Sequence, residues 1–278
     1  MERIVSALNE LKEISNAYNI SAERVSDLLE EIKDAKICTP VIGRFSSGKS
    51  ALLNTVLGYR KRMLKEDITP ETAVPTELMY AENEQAEFIR NDETSEISSV
   101  GEYKETEADA GTVKCVRLYL DNIFLKEIPD IMLVDMPGFE SGYEIHNKAI
   151  DNYLPRSLAY IIAFPADDMI VRSSVGNILK ELCIYDMPLC VVITKFDKKN
   201  DDFDLTFEKL KESLKRYVGD REITYCRTSS LDGYAGELKQ FLITMQEQAQ
   251  EILAGKYRRL MLPVLENTEN YLKTLISS

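Results

Sequence analysis

The residues best equipped for chemistry form one run, Gly43-Arg44-Phe45-Ser46-Ser47-Gly48-Lys49-Ser50, set between the apolar stretch 37–42 and a helix-like stretch from Ala51 to Leu57. A G-x-x-x-x-G-K-[ST] loop in that setting cradles phosphate. Its glycines let the backbone amides of Gly43, Ser46, Ser47, Gly48, Lys49, Ser50 and Ala51 turn toward an anion, and the helix start that follows adds partial positive charge. Lys49 then reaches the β and γ oxygens of a nucleoside triphosphate, and Ser50 ligates Mg²⁺. A glycine turn that bound nothing would leave the lysine opposing the helix dipole.

Three later elements select the nucleotide. Asp135-Met136-Pro137-Gly138 closes the apolar run 131–134, where the carboxylate of Asp135 can hold a Mg²⁺-bound water and the Gly138 amide can meet a γ-phosphate. Thr194-Lys195-Phe196-Asp197 closes the run 189–193. There the Asp197 carboxylate can accept from the N1 and N2 donors of guanine while the Lys195 stem packs over the ring. Adenine offers no such donor pair, which disfavours an ATPase. After the last strand, Thr228-Ser229-Ser230-Leu231 reads as a loop whose backbone meets the guanine oxygen. All of these motifs sit at predicted strand ends, where open α/β sheets place their ligands.

The elements that must position them follow from hydrophobic rhythm. Short apolar runs at 37–42, 116–120, 131–134, 159–164, 189–194 and 223–226 alternate with amphipathic stretches. That alternation predicts an α/β fold with a mostly parallel sheet flanked by helices. Stretches 76–80 and 86–89 read as an added hairpin, and 81–110, with ten acidic residues against Arg90 and Lys104, as an exposed and partly mobile insertion without helical periodicity.

Helical patterns occupy both ends. Ile4, Leu8, Leu11 and Ile14 mark one helix, and Val25, Leu28, Leu29 and Ile32 a second with Ser21 as its N-cap; a third pattern fills 241–278, with Pro263 expected to kink or break it. Each stripe needs cover, so the ends pair as a small helical bundle or else pack separately on the sheet. The division is thus 1–35 and 241–278 for the bundle around a central domain at 36–240.

Composition narrows the partners. A formal net charge of −13 repels nucleic acid and anionic membrane alike, so either would need a local basic patch. Arg60-Lys61-Arg62 could touch phosphate or a partner, or be a solvated turn. Cys38, Cys115, Cys183, Cys190 and Cys226 show no paired spacing and read as buried thiols of a reducing, cytoplasmic compartment, and the lone His146 has no partner for a metal or a triad. No uninterrupted apolar run reaches the roughly 18 residues of a membrane span.

Taken together, GRFSSGKSALLNTVLG, ITPETAVPTEL (68–78), DMPGFESG (135–142) and TKFD resemble the GTPase domain of bacterial dynamin-like proteins over residues 36–240. Small Ras-like GTPases lack the TAVPT element, and their interval from P-loop to DxxG is shorter. The resemblance implies a P-loop GTPase domain that turns GTP into GDP with Mg²⁺. It makes Thr72 the threonine that binds Mg²⁺ and helps place the attacking water, with Thr69 and Thr76 as rival positions. Ser46 corresponds to the serine near the β–γ bridge, and Phe139 fits a family without the Ras-type glutamine there. One departure stands out: Phe45 occupies the place where the best-known dynamins carry glutamine. Arg44 is then the nearest cation for the transferring phosphate, or else a solvent or interface residue.

The family further implies a homodimer across the nucleotides, with residues 166–176 at that contact, and membrane work through segments absent from this chain, which would then be peripheral to a membrane. The competing function is a switch-type GTPase that binds a protein or ribosomal partner.

Overall fold

A computed structural model describes residues 1–59, 63–65, 74–106, 108–109, 111–138, 152–182 and 187–277. The expectations placed on Arg60-Lys61-Arg62, Thr69, Thr72, Phe139, His146 and Cys183 lie outside the described residues. Contacts divide the chain into two units, one made of Met1–Ile37 with Glu247–Ser278 and the other of Cys38–Gln246.

Among the described residues, the larger unit is built on a nine-stranded sheet. Its strands are β1 (Ile37–Ile42), β2 (Thr76–Tyr80), β3 (Gln85–Arg90), β4 (Ser95–Ser98), β5 (Val113–Leu120), β6 (Ile131–Asp135), β7 (Tyr160–Pro165), β8 (Leu189–Thr194) and β9 (Thr224–Arg227). Their order is β4-β3-β5-β2-β6-β1-β7-β8-β9, with β1, β7, β8 and β9 paired in parallel and β2 parallel to β5. Every residue of β1 and of β8 is buried. That is the signature of strands covered on both faces, and it explains why they read as unbroken apolar runs. The flanking helices, following α1 (Glu2–Ala17) and α2 (Glu23–Lys33) of the smaller unit in the chain, are α3 (Lys49–Val56), α4 (Val100–Glu105), α5 (Ile123–Glu127), α6 (Ser173–Leu182), α7 (Phe203–Val218) and α8 (Gly236–Glu247).

Two expectations are corrected here. Strands β2 and β3 do not form a hairpin: β5 lies between them, parallel to β2 and antiparallel to β3. Nor is the acidic stretch 81–110 merely an exposed loop, since it supplies β3, β4 and α4 and buries Ala86, Val100 and Tyr103. A capping box starts α4, the Ser99 side chain accepting from the Glu102 amide while Glu102 accepts from the Ser99 amide. Such reciprocal bonds hold a helix too short to persist alone.

The smaller unit contains α1 (Glu2–Ala17), α2 (Glu23–Lys33) and α9 (Ala249–Ser277). Ile4, Leu8, Leu11, Val25 and Leu28 pack with Tyr257 and Met261 in one core. Leu8 and Leu28 are fully buried, which stabilises by about 2 kcal/mol each. The Tyr257 hydroxyl donates to the Glu31 carbonyl at 3.0 Å. Residues 241–246, assigned from sequence to this bundle, belong instead to the larger unit through α8. Helix α9 runs past Pro263, held by the stripe of Tyr257, Met261 and Val264 around the missing ladder bond. The N-cap of α2 is Ala22 rather than Ser21.

Candidate nucleotide site

The C-terminal ends of β1, β6, β7 and β8 release their loops at one rim of the sheet, and β2, antiparallel to β6, begins there with Thr76 opposite Asp135. This is the crevice that doubly wound sheets offer to ligands. A cavity of about 280 Å³ opens at that rim, lined by Phe45, Ser46, Gly48, Lys49, Ser50, Ala51, Asp135, Gly138 and Lys195 among others.

The loop from Gly43 to Gly48 is shaped by close approach. A side chain on Gly43 would meet Ser47 Oγ at 2.5 Å and the Ala163 carbonyl at 3.0 Å. Gly48 has φ +85 and Ser46 φ 60, both left-handed, a conformation glycine accepts freely and serine adopts at a cost. The DxxG glycine is packed onto this loop: a Cβ on Gly138 would lie 2.6 Å from Phe45 Cα and 2.7 Å from its nitrogen. The two phosphate-facing motifs therefore touch through backbone.

Lys49 is only 7% exposed, and its Nζ donates to the carbonyls of Gly43 at 3.2 Å and Arg44 at 3.1 Å. Burial lowers its pKa to about 8, against the opposing charge of Asp135. Asp135, 9% exposed, has its pKa raised by burial, with Lys49 and the Ser50 hydrogen bond pulling the other way. Ser50 Oγ donates to Asp135 Oδ2 at 2.6 Å, whereas the buried Oδ1 has no hydrogen-bond partner among the described residues. An orphaned carboxylate oxygen beside a hydroxyl suits Mg²⁺, a hard cation that takes one or two protein oxygens and completes its shell with water and phosphate. Among the described residues no group of three or more His, Cys, Asp and Glu could hold a metal by itself.

The base-reading motif is tied to the same loop. Thr194 Oγ1 donates to the Ser47 carbonyl at 2.6 Å, and Lys195, left-handed at φ 53, donates from Nζ to the Ser46 carbonyl at 2.9 Å. Asp197 is exposed, with Oδ1 2.9 Å from Ser229 Oγ, which also lies 2.7 Å from Asp232 Oδ2. One hydroxyl proton serves one carboxylate at a time. The Phe196 amide donates to the Thr228 carbonyl at 3.0 Å, and Ser229 and Tyr234 exchange backbone bonds that close the turn bearing exposed Ser230.

Thus Gly43, Ser46, Ser47, Gly48, Lys49, Ser50, Ala51, Asp135, Gly138, Thr194, Lys195, Asp197, Ser229 and Ser230 gather at one rim. Arg44 points elsewhere: its guanidinium pairs with Asp168 in the loop after β7, beside a second cavity of about 260 Å³. Of the three threonines considered for the metal, Thr76 is described, and it lines the first cavity.

Sequence reasoning missed Tyr103, which reaches that cavity from α4. Its pKa is pushed up to about 12 by burial, despite a Thr76 hydrogen bond that lowers it and with Asp135 adding to the rise, so it stays a neutral phenol. The Ser99-x-x-Glu102 spacing ahead of Tyr103 was the available signal.

Residues 40–196 match the sequence profile of the Dynamin family. The chain belongs to the dynamin family. It is 30% identical over 173 residues to a probable transmembrane GTPase, FZO-like, chloroplastic, of Arabidopsis thaliana, a match covering 62% of this chain and 17% of that protein. It is 29% identical over 140 residues to Dynamin-like protein 2 of Campylobacter jejuni, covering 47% and 22% respectively. A solved structure of an oligomerised bacterial dynamin pair superposes with TM-score 0.66 at 19% identity, over 98% of this chain and 45% of that one. That likeness shows the dynamin-type fold. The matches span less than half the length of these relatives. Among the described residues of this dynamin-family chain, no helix is long and apolar enough to cross a membrane.

Proposed function

We propose that this dynamin-family chain binds GTP with Mg²⁺ and hydrolyses it to GDP and phosphate, two copies pairing across their nucleotides, in the service of work on membranes. One observation carries the reading. The DxxG glycine and the TKFD loop are each joined directly to the P-loop at a single rim, through Gly138 on Phe45 and Thr194 on Ser47.

The amides of Gly43 and of Ser46 to Ala51 hold the phosphates, and Lys49 exchanges its carbonyl partners for β and γ oxygens. Ser50, Asp135 and Thr72 would hold Mg²⁺, which supplies neutralisation of the charge on those oxygens. Ser46 stands at the β–γ bridge, the Gly138 amide meets the γ-phosphate, and water attacks phosphorus as the GDP oxygen leaves. Thr194, Lys195, Asp197, Ser229 and Ser230 read the base. Phosphoryl transfer asks chiefly for position and charge neutralisation, so a lone chain turns over slowly. Arg44, once released from Asp168, would add to that stabilisation.

Exposed apolar side chains support the pairing. Phe45, Ile170 and Leu231 all stand on loops leaving the nucleotide rim, where a second copy would cover them. Membrane work is supported by the solved bacterial dynamin pair, described as sensing and tethering membranes over long range. With a net charge of −13, contact with an anionic surface falls to other segments or to a basic patch. The test is phosphate release from GTP at several protein concentrations. Turnover per molecule should rise with concentration as pairs form. A constant rate, with a monomer by light scattering in GTP plus a transition-state mimic, would contradict pairing and favour the switch-type regulator.

A further inference from the structure

Among the described residues, the least exposed charged side chain is not in the nucleotide cavity. It is Glu77 in β2, 1% exposed, directly after Thr76. Side chains alternate along a strand, so Glu77 lies on the face opposite Thr76, which lines the cavity and pairs across with Asp135.

Its two carboxylate oxygens serve two different elements. Oε2 accepts from Arg117 Nε on β5 at 2.8 Å. Oε1 accepts from the Tyr153 hydroxyl at 2.7 Å and from the Arg156 guanidinium at 2.6 Å, and that guanidinium stacks 3.7 Å from the centre of the Tyr153 ring. Residues 153–156 lie downstream of Gly138 and lead into β7, with the Leu158 amide bonded to the Cys38 carbonyl of β1.

The two arms differ in redundancy. Arg117 is the cross-strand partner of Glu77, and β2 and β5 are already zipped over five residue pairs, Thr76 with Val116 through Tyr80 with Leu120. No strand ladder joins 153–156 to β2; there the side chains on Oε1 make the connection. Buried ion pairs are weak sources of net stability, and their best-attested use is to specify one arrangement.

We propose that Glu77 is a positioning residue for hydrolysis, its Oε1 arm to Tyr153 and Arg156 holding segment 153–156, downstream of the DxxG glycine and leading into β7, against β2, whose own register beside Asp135 is set by the β6 ladder. This rests on the GTPase reading above. The Oε2 arm to Arg117 is the anchor, duplicated by backbone bonds.

The test compares the arms in the chain as it stands, using phosphate release, nucleotide affinity and thermal melting. Arg156→Gln should lower kcat about tenfold or more, the scale of a small misplacement remote from the reacting atoms, while Kd for GTP and GDP stays within about twofold. Arg117→Gln should lower the melting temperature comparably yet keep kcat within about twofold. Tyr153→Phe, which deletes one hydroxyl and keeps the ring, should lower kcat several-fold, and Arg156→Lys should recover part of the loss.

A merely structural cluster would give both arginine variants the same kcat, whether lowered together or unchanged, and either result overturns the inference. If Arg156→Gln fails to fold, Tyr153→Phe decides: a wild-type kcat overturns the inference. A wild-type chain that releases no phosphate sinks the GTPase reading and this inference with it. Normal wild-type release with an equally active Arg156→Gln sinks the inference alone.

Discussion

The phosphate end and the base end of the site are built in opposite ways. At the phosphate end the charged groups are buried and engaged with protein, Lys49 with two loop carbonyls and Asp135 with the half-buried Ser50 hydroxyl. At the base end Asp197 and Ser230 face solvent, and Asp197 is oriented by a single serine hydroxyl. A buried charge awaiting an anion is expensive to leave alone and strong once paired; an exposed carboxylate competes with water and contributes selectivity more than affinity. The difference teaches where each kind of change should tell.

Replacing the buried cation should have the largest effect. Lys49→Ala should weaken GTP and GDP by at least about 100-fold, roughly 2.7 kcal/mol, by calorimetric titration, while the nucleotide-free chain still melts cooperatively. An affinity within tenfold of wild type would erase the contrast between the two ends. Next in size, Asp197→Asn should cost guanine about 10- to 100-fold, the range for hydrogen bonds to a charged group, and shift preference toward xanthine. Unchanged selectivity would remove Asp197 from base reading.

The same comparison explains what could be read before any coordinates. Strands β1 and β8 were legible to the residue, because strands buried on both faces leave uninterrupted apolar runs. Strand β4, almost wholly exposed as Ser95–Ser98, left no period to detect. The insertion of β5 between β2 and β3 was illegible for a different reason: both strands were recognised, but local pattern carries no label for a partner some twenty to forty residues away. In the site, contiguous motifs such as GRFSSGKS and TKFD announce themselves because one loop must supply several groups at once. Tyr103 and Glu77 do not, since each acts through long-range side-chain contacts from an otherwise ordinary stretch. The fold was therefore more legible in its parallel half, and the site more legible at its loops than in what supports them.

Smaller effects sharpen the contrast. Lys49 has a pKa near 8 in the nucleotide-free chain, and phosphate binding requires the ammonium. Above that value binding must include reprotonation, so proton uptake should accompany GTP binding and affinity should fall as pH rises. Between pH 7.5 and 9 the loss should be roughly eightfold, read by titration in buffers of different ionisation enthalpy, with no matching loss from pH 6 to 7. A flat profile from 7.5 to 9 would show that burial does not depress the lysine. At the base end, Ser229→Ala, which frees Asp197 to rotate, should weaken GTP by about three- to tenfold, a single hydrogen bond's worth, whereas Ser230→Ala should change it by less than about twofold. Equal effects would mean that the turn, rather than the serine hydroxyl, sets the carboxylate.

The most direct measurement of the central claim is a calorimetric titration of the purified chain with GTP, GDP and ATP, each with and without Mg²⁺. A site whose phosphate loop, metal carboxylate and base-reading loop act on one ligand should bind GTP and GDP, gain GTP affinity with Mg²⁺, and hold ATP at least about 100-fold more weakly. Equal affinity for ATP and GTP, or GTP binding indifferent to Mg²⁺, would contradict it.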